Sequence, residues 1–275
     1  MGFFPFLLGA SLAAAPLAQA ERAAPAPVPA HPALWVVNDK DTIIYLFGTF
    51  HALDGQSDWF EQAVRTAFTA SDQLVLETVV PKRAVLARAS AGPGQKPVAG
   101  APMPVAQLAP SASFLATTKL VMTAGRSKGL STDRGADAVL RDAAEQSGKP
   151  VAGLESFGFQ LTMFSSLPPS ASQAPAQDAQ TLSALAQVLA QLQRAWNRGE
   201  IDATFAPLLK QMQAQSPQTY KTMFVERNAR WANWIANRLK TPGTVFVAVG
   251  AGHLAGPDSV QNQLGTLGVK SARIN

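Results

Sequence analysis

The sequence predicts an α/β domain built on a mainly parallel or mixed sheet flanked by helices, with a helical block inserted between about residues 160 and 240. Three observations predict it. Short apolar runs alternate with helical periodicity along the chain, as in folds whose strands are joined by crossover helices. Two of the apolar runs, Thr42–Phe47 and Thr244–Val249, each lead into a Gly-x-x-His turn, and two more, Leu74–Leu76 and Pro150–Leu154, each lead into a glutamate. Third, the segment Asp178–Gln215 carries leucines at helical rather than strand spacing.

Taken in order, Leu34–Val37 and Thr42–Phe47 flank Asn38-Asp39-Lys40-Asp41 and read as a hairpin. Ser57 or Asp58 is placed to cap a helix running to Ala70, and Leu74–Leu76 then forms a buried strand ending at Glu77. Ala89–Pro104, rich in Gly, Pro and Ala, reads as a surface loop. Gly135–Ser147 is a helical run closed by Gly148, and Pro150–Leu154 is a strand ending at Glu155. Leu167–Gln177 is a second loop. In the helical block Leu182, Leu185, Leu189, Leu192 and Trp196 form an apolar stripe that reads as core packing, and Gly199 stops its first helix. Tyr220–Leu239 is a further helix whose stripe is Tyr220, Phe224, Arg227, Trp231, Trp234 and Ile235. Thr244–Val249 is a strand, Pro257–Leu267 a helix, and Val269–Ile274 a last strand.

Composition narrows the chemistry. The 275 residues include no cysteine, which removes disulfides, thiolate nucleophiles and Cys-held metals. The net charge of +5 is spread without a dense basic run, so no nucleic-acid partner is expected. No Gly-rich phosphate loop occurs, and Ser131 and Ser156 lie outside a G-x-S-x-G elbow, which disfavours nucleotide cofactors and a serine hydrolase. Residues 1–20 are uncharged and apolar and end in Ala18-Gln19-Ala20, an export signal with cleavage expected after Ala20 and a periplasmic or secreted product without a stable membrane span. No Lys or Arg precedes its apolar core. Residues 21–32 form an Ala/Pro tether, expected to make neither helix nor ladder, in which His31 reads as a solvated linker residue. Residues 33–275 are then one domain.

With only three histidines in the chain, the repeated turn carries information. Gly48-Thr49-Phe50-His51 and Gly250-Ala251-Gly252-His253 each follow a strand, where a glycine lets the backbone turn and leaves room beside the imidazole. The alternative is two satisfied core histidines. Glu77 and Glu155 end apolar strands, so each needs a partner or a metal. In a parallel sheet the C-terminal strand ends line the edge where α/β proteins place ligands. His51, Glu77, Glu155 and His253 are thus expected around one cleft as ligands of a divalent ion (Zn, Mn or Co), with Glu77 or Glu155 left to act as base. Arg227, aimed at the core, reads either as a carboxylate partner or as a holder of an oxyanion. Asn228 reads as a packing or capping residue.

The stretches LWVVNDKDTIIYLFGTFHAL, QLVLET, GADAVLRDAAEQSGKPVAGLES, VERNARWANWI and VFVAVGAGHLAGPDSVQNQLGTLGVKSARI together resemble the TraB/GumN family, which includes PrgY-type proteins and the animal TIKI proteases. The resemblance spans most of Leu34–Ile274 and places His51, Glu77, Glu155, Arg227 and His253 on the family's shared polar positions. It implies a metal-dependent, metalloprotease-like hydrolase acting on a peptide or protein. The rival expectation is a binding protein that sequesters a peptide or signalling molecule in the same cleft. The chain departs from the TIKI pattern in having neither a C-terminal membrane anchor nor a cysteine.

Overall fold

A computed structural model describes residues 27–81, 112–168 and 178–275. The export signal, the start of the tether, the loop Ala89–Pro104 and most of the loop Leu167–Gln177 lie outside the described residues.

The chain opens with β1 (Val28–Pro29), β2 (Leu34–Asn38), β3 (Thr42–Thr49), β4 (Ser57–Asp58), α1 (Gln62–Ala70) and β5 (Gln73–Thr78). After α2 (Ala112–Arg126) come a 3₁₀ turn (Thr132–Arg134), α3 (Ala136–Gln146), β6 (Val151–Glu155) and α4 (Phe157–Ser166). The helical block is α5 (Ala179–Asn197), α6 (Ile201–Gln215), α7 (Pro217–Tyr220), a π-helical turn (Lys221–Val225) and α8 (Glu226–Arg238). β7 (Gly243–Gly250), a 3₁₀ turn (Ala251–Leu254), α9 (Val260–Thr266) and β8 (Ala272–Arg273) end it.

Six strands form one mixed sheet in the order β6-β5-β7-β3-β2-β8, and β1 pairs with β4 separately. Four neighbouring strands, β6, β5, β7 and β3, run parallel, with β6 at the edge, while β2 is antiparallel to both β3 and β8. The expected α/β architecture is thus the observed one. Parallel strands must be buried on both faces, and β7 meets this with Val245, Phe246, Val247, Ala248 and Val249 all fully buried. Register aligns Thr49 with Gly250 and Thr78 with Glu155, so the C-terminal strand ends share one edge.

The helical block is tied to that edge through Trp196, whose indole Nε1 donates to the Gly48 carbonyl at 2.7 Å. Trp196 is fully buried and contacts Phe47, Phe50 and Trp59 edge-on or tilted. Gly199 sits at φ +67°, the left-handed region that glycine enters without strain, and separates α5 from α6.

Several boundaries differ from expectation. Ser57 and Asp58 do not cap α1; they pair in parallel with Val28 and Pro29, and α1 begins at Gln62. The tether therefore does make a short ladder, because Val28 and the Gln56 carbonyl supply the hydrogen bond that Pro29 lacks. His31 is exposed, as a linker residue should be. The helix expected from Pro257 begins at Val260, capped by Ser259, and only Ala272–Arg273 of the last apolar run joins the sheet. Leu182, Leu185, Leu189 and Leu192 are half-buried rather than core, and only Trp196 of that stripe is fully buried.

Candidate active site

The shared strand edge delivers its polar side chains to one cluster centred on Arg227. Helix α8 carries this arginine on its buried face with Trp231, Ala232 and Ile235, and the π-helical turn precedes it. Such turns are rare inside helices and are frequent at functional sites. The guanidinium is 2% exposed. Its Nη2 donates to Glu77 Oε2 at 2.8 Å, and its Nε donates to both Glu155 oxygens at 3.0 Å. Nη2 also lies 2.9 Å from Glu155 Oε2. Nη1 donates to His253 Nε2 at 3.1 Å and to the Met223 carbonyl at 3.4 Å. Trp231 lies beneath the guanidinium, 4.6 Å from its centroid. Burial alone would push the guanidinium towards neutrality; Glu77 and Glu155 outweigh it and hold the proton on.

His253 is buried between the rings of Phe224 and Trp231, at 4.8 and 4.5 Å between centroids. Its tautomer follows from its neighbours. Asn228 Nδ2 donates to the Asp258 carbonyl at 2.7 Å, so Asn228 turns its Oδ1 to His253 Nδ1, 2.6 Å away. Nδ1 therefore carries the proton and Nε2 accepts from Arg227. Burial holds its pKa down at about 3 against the pull of Glu77, so the ring is neutral.

His51 has the opposite surroundings. Its ring is 63% exposed, and its Nδ1 lies 2.7 Å from Asp137 Oδ2. Thr49 Oγ1 donates to the other Asp137 oxygen at 2.7 Å. Attraction to Asp137 outweighs desolvation and raises the His51 pKa to about 9, and it keeps the Asp137 carboxyl low. Glu77 closes the group: Oε1 accepts from the Gly250 amide at 2.6 Å and stands 3.7 Å from His253 Nε2. Burial would raise its carboxyl, but His253, Arg227, His51 and the Gly250 amide together bring it to about 2.

Gly250 explains why the turn needs glycine. A Cβ there would lie 3.0 Å from His51 Nε2 and 3.1 Å from Glu77 Oε1. Its φ is −53°, so the requirement is close approach and not a left-handed backbone. The expected room beside an imidazole is real, but it serves the histidine of the other turn. Gly48 instead faces Ile201 and Leu254, where packing fills the space.

His51, Glu77, Glu155, Arg227 and His253 are thus brought together, as the sequence led one to expect. They do not fit the expected ion held by all four donors. The Glu155 oxygens are taken by Arg227 and, at 3.4 Å, by Arg230, and the His253 Nε2 lone pair is taken by Arg227. Among the described residues no group of three or more His, Asp or Glu side chains is arranged to hold a metal. A cation already stands at the centre, and it is the guanidinium. Arg227 in turn has its donors engaged, so it positions the cluster rather than holding an oxyanion. Asp137 and Thr49 were missed by sequence reasoning, and Asn228 orients a histidine rather than merely packing.

Two cavities meet at this cluster. One, of about 490 Å³, is walled by Phe50, Met122, Leu189, Phe205, Leu208 and Phe224 among others. The second, of about 580 Å³, has a mixed lining in which Thr78, Asp133, Asp137, Arg141 and Gln160 stand beside Leu76, Val80 and Ala138. His51, Glu77, Thr132 and Phe164 border both. Among the described residues no helix is long and apolar enough to cross a membrane.

In comparison with known proteins, the model of the TraB/PrgY/gumN family matches residues 33–96 and 86–273. No curated protein and no solved structure matches the chain.

Proposed function

The chain belongs to the TraB/PrgY/gumN family, and from that premise we propose that it is an exported hydrolase of an amide or ester bond, with His51 and Glu77 as its acid–base pair. One observation carries the reading: His51 Nε2 and Glu77 Oε1, the latter held by the Gly250 amide, converge on Gly250 at the border of two cavities, while Glu155, Arg227 and His253 are engaged with one another and their neighbours.

The chemistry follows from the protonation states. At neutral pH His51 is an imidazolium whose Nδ1–H is held by Asp137. Its Nε2–H is the donor available to a substrate carbonyl or leaving atom. Glu77, fixed by Arg227 and the Gly250 amide, is a carboxylate placed to orient a water. A carboxyl at about 2 is a weak base alone. It takes the water's proton as His51 protonates the departing atom, and the proton then returns from Glu77 to His51 Nε2. Arg227 keeps Glu77 ionised and aimed. No step runs through a metal ion, because the guanidinium occupies the centre that the four-donor reading gave to one.

The test is turnover of a panel of esters and peptide amides by the purified protein. His51→Ala and Glu77→Gln are each expected to lower kcat by about 10²-fold or more, in the range typical for an acid–base group. His51→Ala should leave the melting temperature near that of the parent, since its ring is largely exposed. Unchanged turnover in His51→Ala would overturn the proposal, and turnover abolished by a chelator and restored by Zn, Mn or Co would return the four-donor reading. The second reading, a binding protein, is favoured by the fully satisfied Arg227 cluster; saturable ligand binding with no turnover would select it. Export rests on the sequence of residues 1–20, and mass spectrometry of the mature protein should find it beginning at Glu21.

A further inference from the structure

The acid–base pair stands between an almost wholly apolar cavity and a mixed one, and a substrate that reaches His51 and Glu77 has room on both sides. The apolar cavity has few polar side chains: Thr49, His51, Glu77, Thr132, Arg227 and His253. Thr49 Oγ1 is spent on Asp137, Arg227 on Glu77, Glu155 and His253, and His253 on Arg227 and Asn228. A peptide laid along this cavity would strand its backbone N–H and C=O groups against Phe, Leu and Met side chains, and buried polar groups without partners are unfavourable. A hydrocarbon chain has no such groups, and its burial is favourable in proportion to its length.

The neighbouring cavity is mixed, with Leu76, Val80, Ala138 and Phe164 in its wall as well as polar side chains. Its lining includes the polar side chains of Thr78, Asp133, Asp137, Arg141 and Gln160. Those side chains offer partners to a group rich in oxygen or nitrogen.

We propose that the substrate is an amphiphile, a carboxylic ester or amide whose acyl chain fills the apolar cavity and whose polar alcohol or amine portion occupies the other, with the scissile carbonyl between His51 and Glu77. This rests on the hydrolase reading and gives it a substrate class. Water adds to the acyl carbon and the bond to the alcohol oxygen or amine nitrogen breaks. The acyl group leaves as a carboxylic acid with the water's hydroxyl, and the polar portion leaves with the proton from His51.

The experiment uses the full chain, p-nitrophenyl esters from acetate to decanoate, an apolar tetrapeptide anilide, and displacement of a fluorescent fatty acid by saturated fatty acids of the same lengths. kcat/KM and displacement affinity should both climb with chain length, approaching fourfold per methylene, which corresponds to the hydrophobic burial of about one CH₂. Leu208→Glu should cut the decanoate-to-acetate ratio at least tenfold; Leu208 is 40% exposed, so a charge there is compatible with folding. Should that variant melt early, Leu189→Gln reads the same ratio. Ester turnover indifferent to chain length, or preference for the anilide over every ester, would overturn the amphiphile while leaving a hydrolase. Length-graded displacement without turnover would support the acyl site and remove the hydrolase reading. The absence of both turnover and displacement would overturn the proposal.

Discussion

At the end of β3 the chain runs Gly48-Thr49-Phe50-His51, and at the end of β7 it runs Gly250-Ala251-Gly252-His253. Both turns leave parallel, hydrogen-bonded neighbours at the same sheet edge. The imidazoles nevertheless differ in almost every physical respect. His51 is exposed and gives its Nδ1 to a carboxylate; His253 is buried under two aromatic rings and gives its Nδ1 to a neutral amide. One is raised to about 9 and the other depressed to about 3, so between those values the first is cationic and the second neutral. A turn motif therefore sets where a ring begins, and the partner of its Nδ1, with burial, sets what the ring can do. Of the two rings, His51 is the exposed cationic one, whereas His253 is enclosed with both ring nitrogens engaged.

The sharpest way to break this contrast is to remove the cation that joins its halves. Arg227→Met leaves Glu77 and Glu155 without their shared partner and His253 Nε2 without its donor. Breaking a buried ion pair from one side costs about 3–5 kcal/mol, which a urea titration would resolve. A loss below about 1 kcal/mol, the range of exposed pairs, would show that the cluster does not hold the edge together.

Asp137→Asn attacks the His51 half alone. With the carboxylate gone, the ring should titrate near its ordinary 6.5 instead of about 9, read from its Cε1–H shift by NMR. The sign for stability is fixed by that shift. Because the folded pKa is raised, the pairing stabilises fully below pH 6.5 and is lost as pH rises through 9. The parent should lose stability over that interval relative to Asp137→Asn, by an amount that water at the exposed ring keeps small. His253 behaves oppositely: its folded pKa is depressed, so its neutral burial stabilises above pH 6.5 and is eroded as pH falls towards 3.

The parts of this contrast differ in how far the sequence reveals them. The strands, the two turns and the glutamates at strand ends are local patterns, and four site residues followed from them. Arg227 was visible as a cation inside an apolar helical stripe, although its saturation by Glu77, Glu155 and His253 depends on four elements meeting. Asp137 was not visible, because an acid in the first turn of a helix is the ordinary complement of the helix dipole. Its flanking Ala136 and Leu140 are buried, and that apolar setting was the one available hint. Thr49 sits in strand alternation like any β-branched residue. The strand order, which puts β7 between β5 and β3, comes from non-local pairing that no window of sequence contains.

Glycine gives a finer test of the two turns. Gly250→Ala inserts a methyl group where His51 Nε2 and Glu77 Oε1 converge, whereas Gly252→Ala meets the edge of the Phe224 ring at 3.3 Å. Overpacking of this kind costs about 1–3 kcal/mol. Gly250→Ala is expected to lower kcat about tenfold by separating the acid–base pair, a barrier change of about 1.4 kcal/mol. Gly252→Ala should keep kcat within about twofold, because a rate change that small is under about 0.5 kcal/mol. Equal loss in both would mean that the convergence at Gly250 is incidental.

The smallest expected effect lies one bond further out. Thr49 Oγ1 donates to Asp137 Oδ1 at 2.7 Å, on the side away from His51. Thr49→Val keeps the strand preference and nearly the volume at this last residue of β3, and removes only the donor. The hydrogen bond should contribute about 0.5–1.5 kcal/mol to stability. Without it the Asp137 carboxyl rises, since that bond is one of the influences holding it down, yet it stays ionised at neutral pH beside the His51 cation. The charge facing His51 is then unchanged, and only its aim is loosened. His51 should therefore titrate slightly lower, far less so than in Asp137→Asn, while His253 does not move. NMR titration of both rings in one sample reads the two numbers together. A His51 shift as large as that of Asp137→Asn would place control of the ring in the carboxylate's orientation, and the contrast between the turns would then rest on geometry more than on charge.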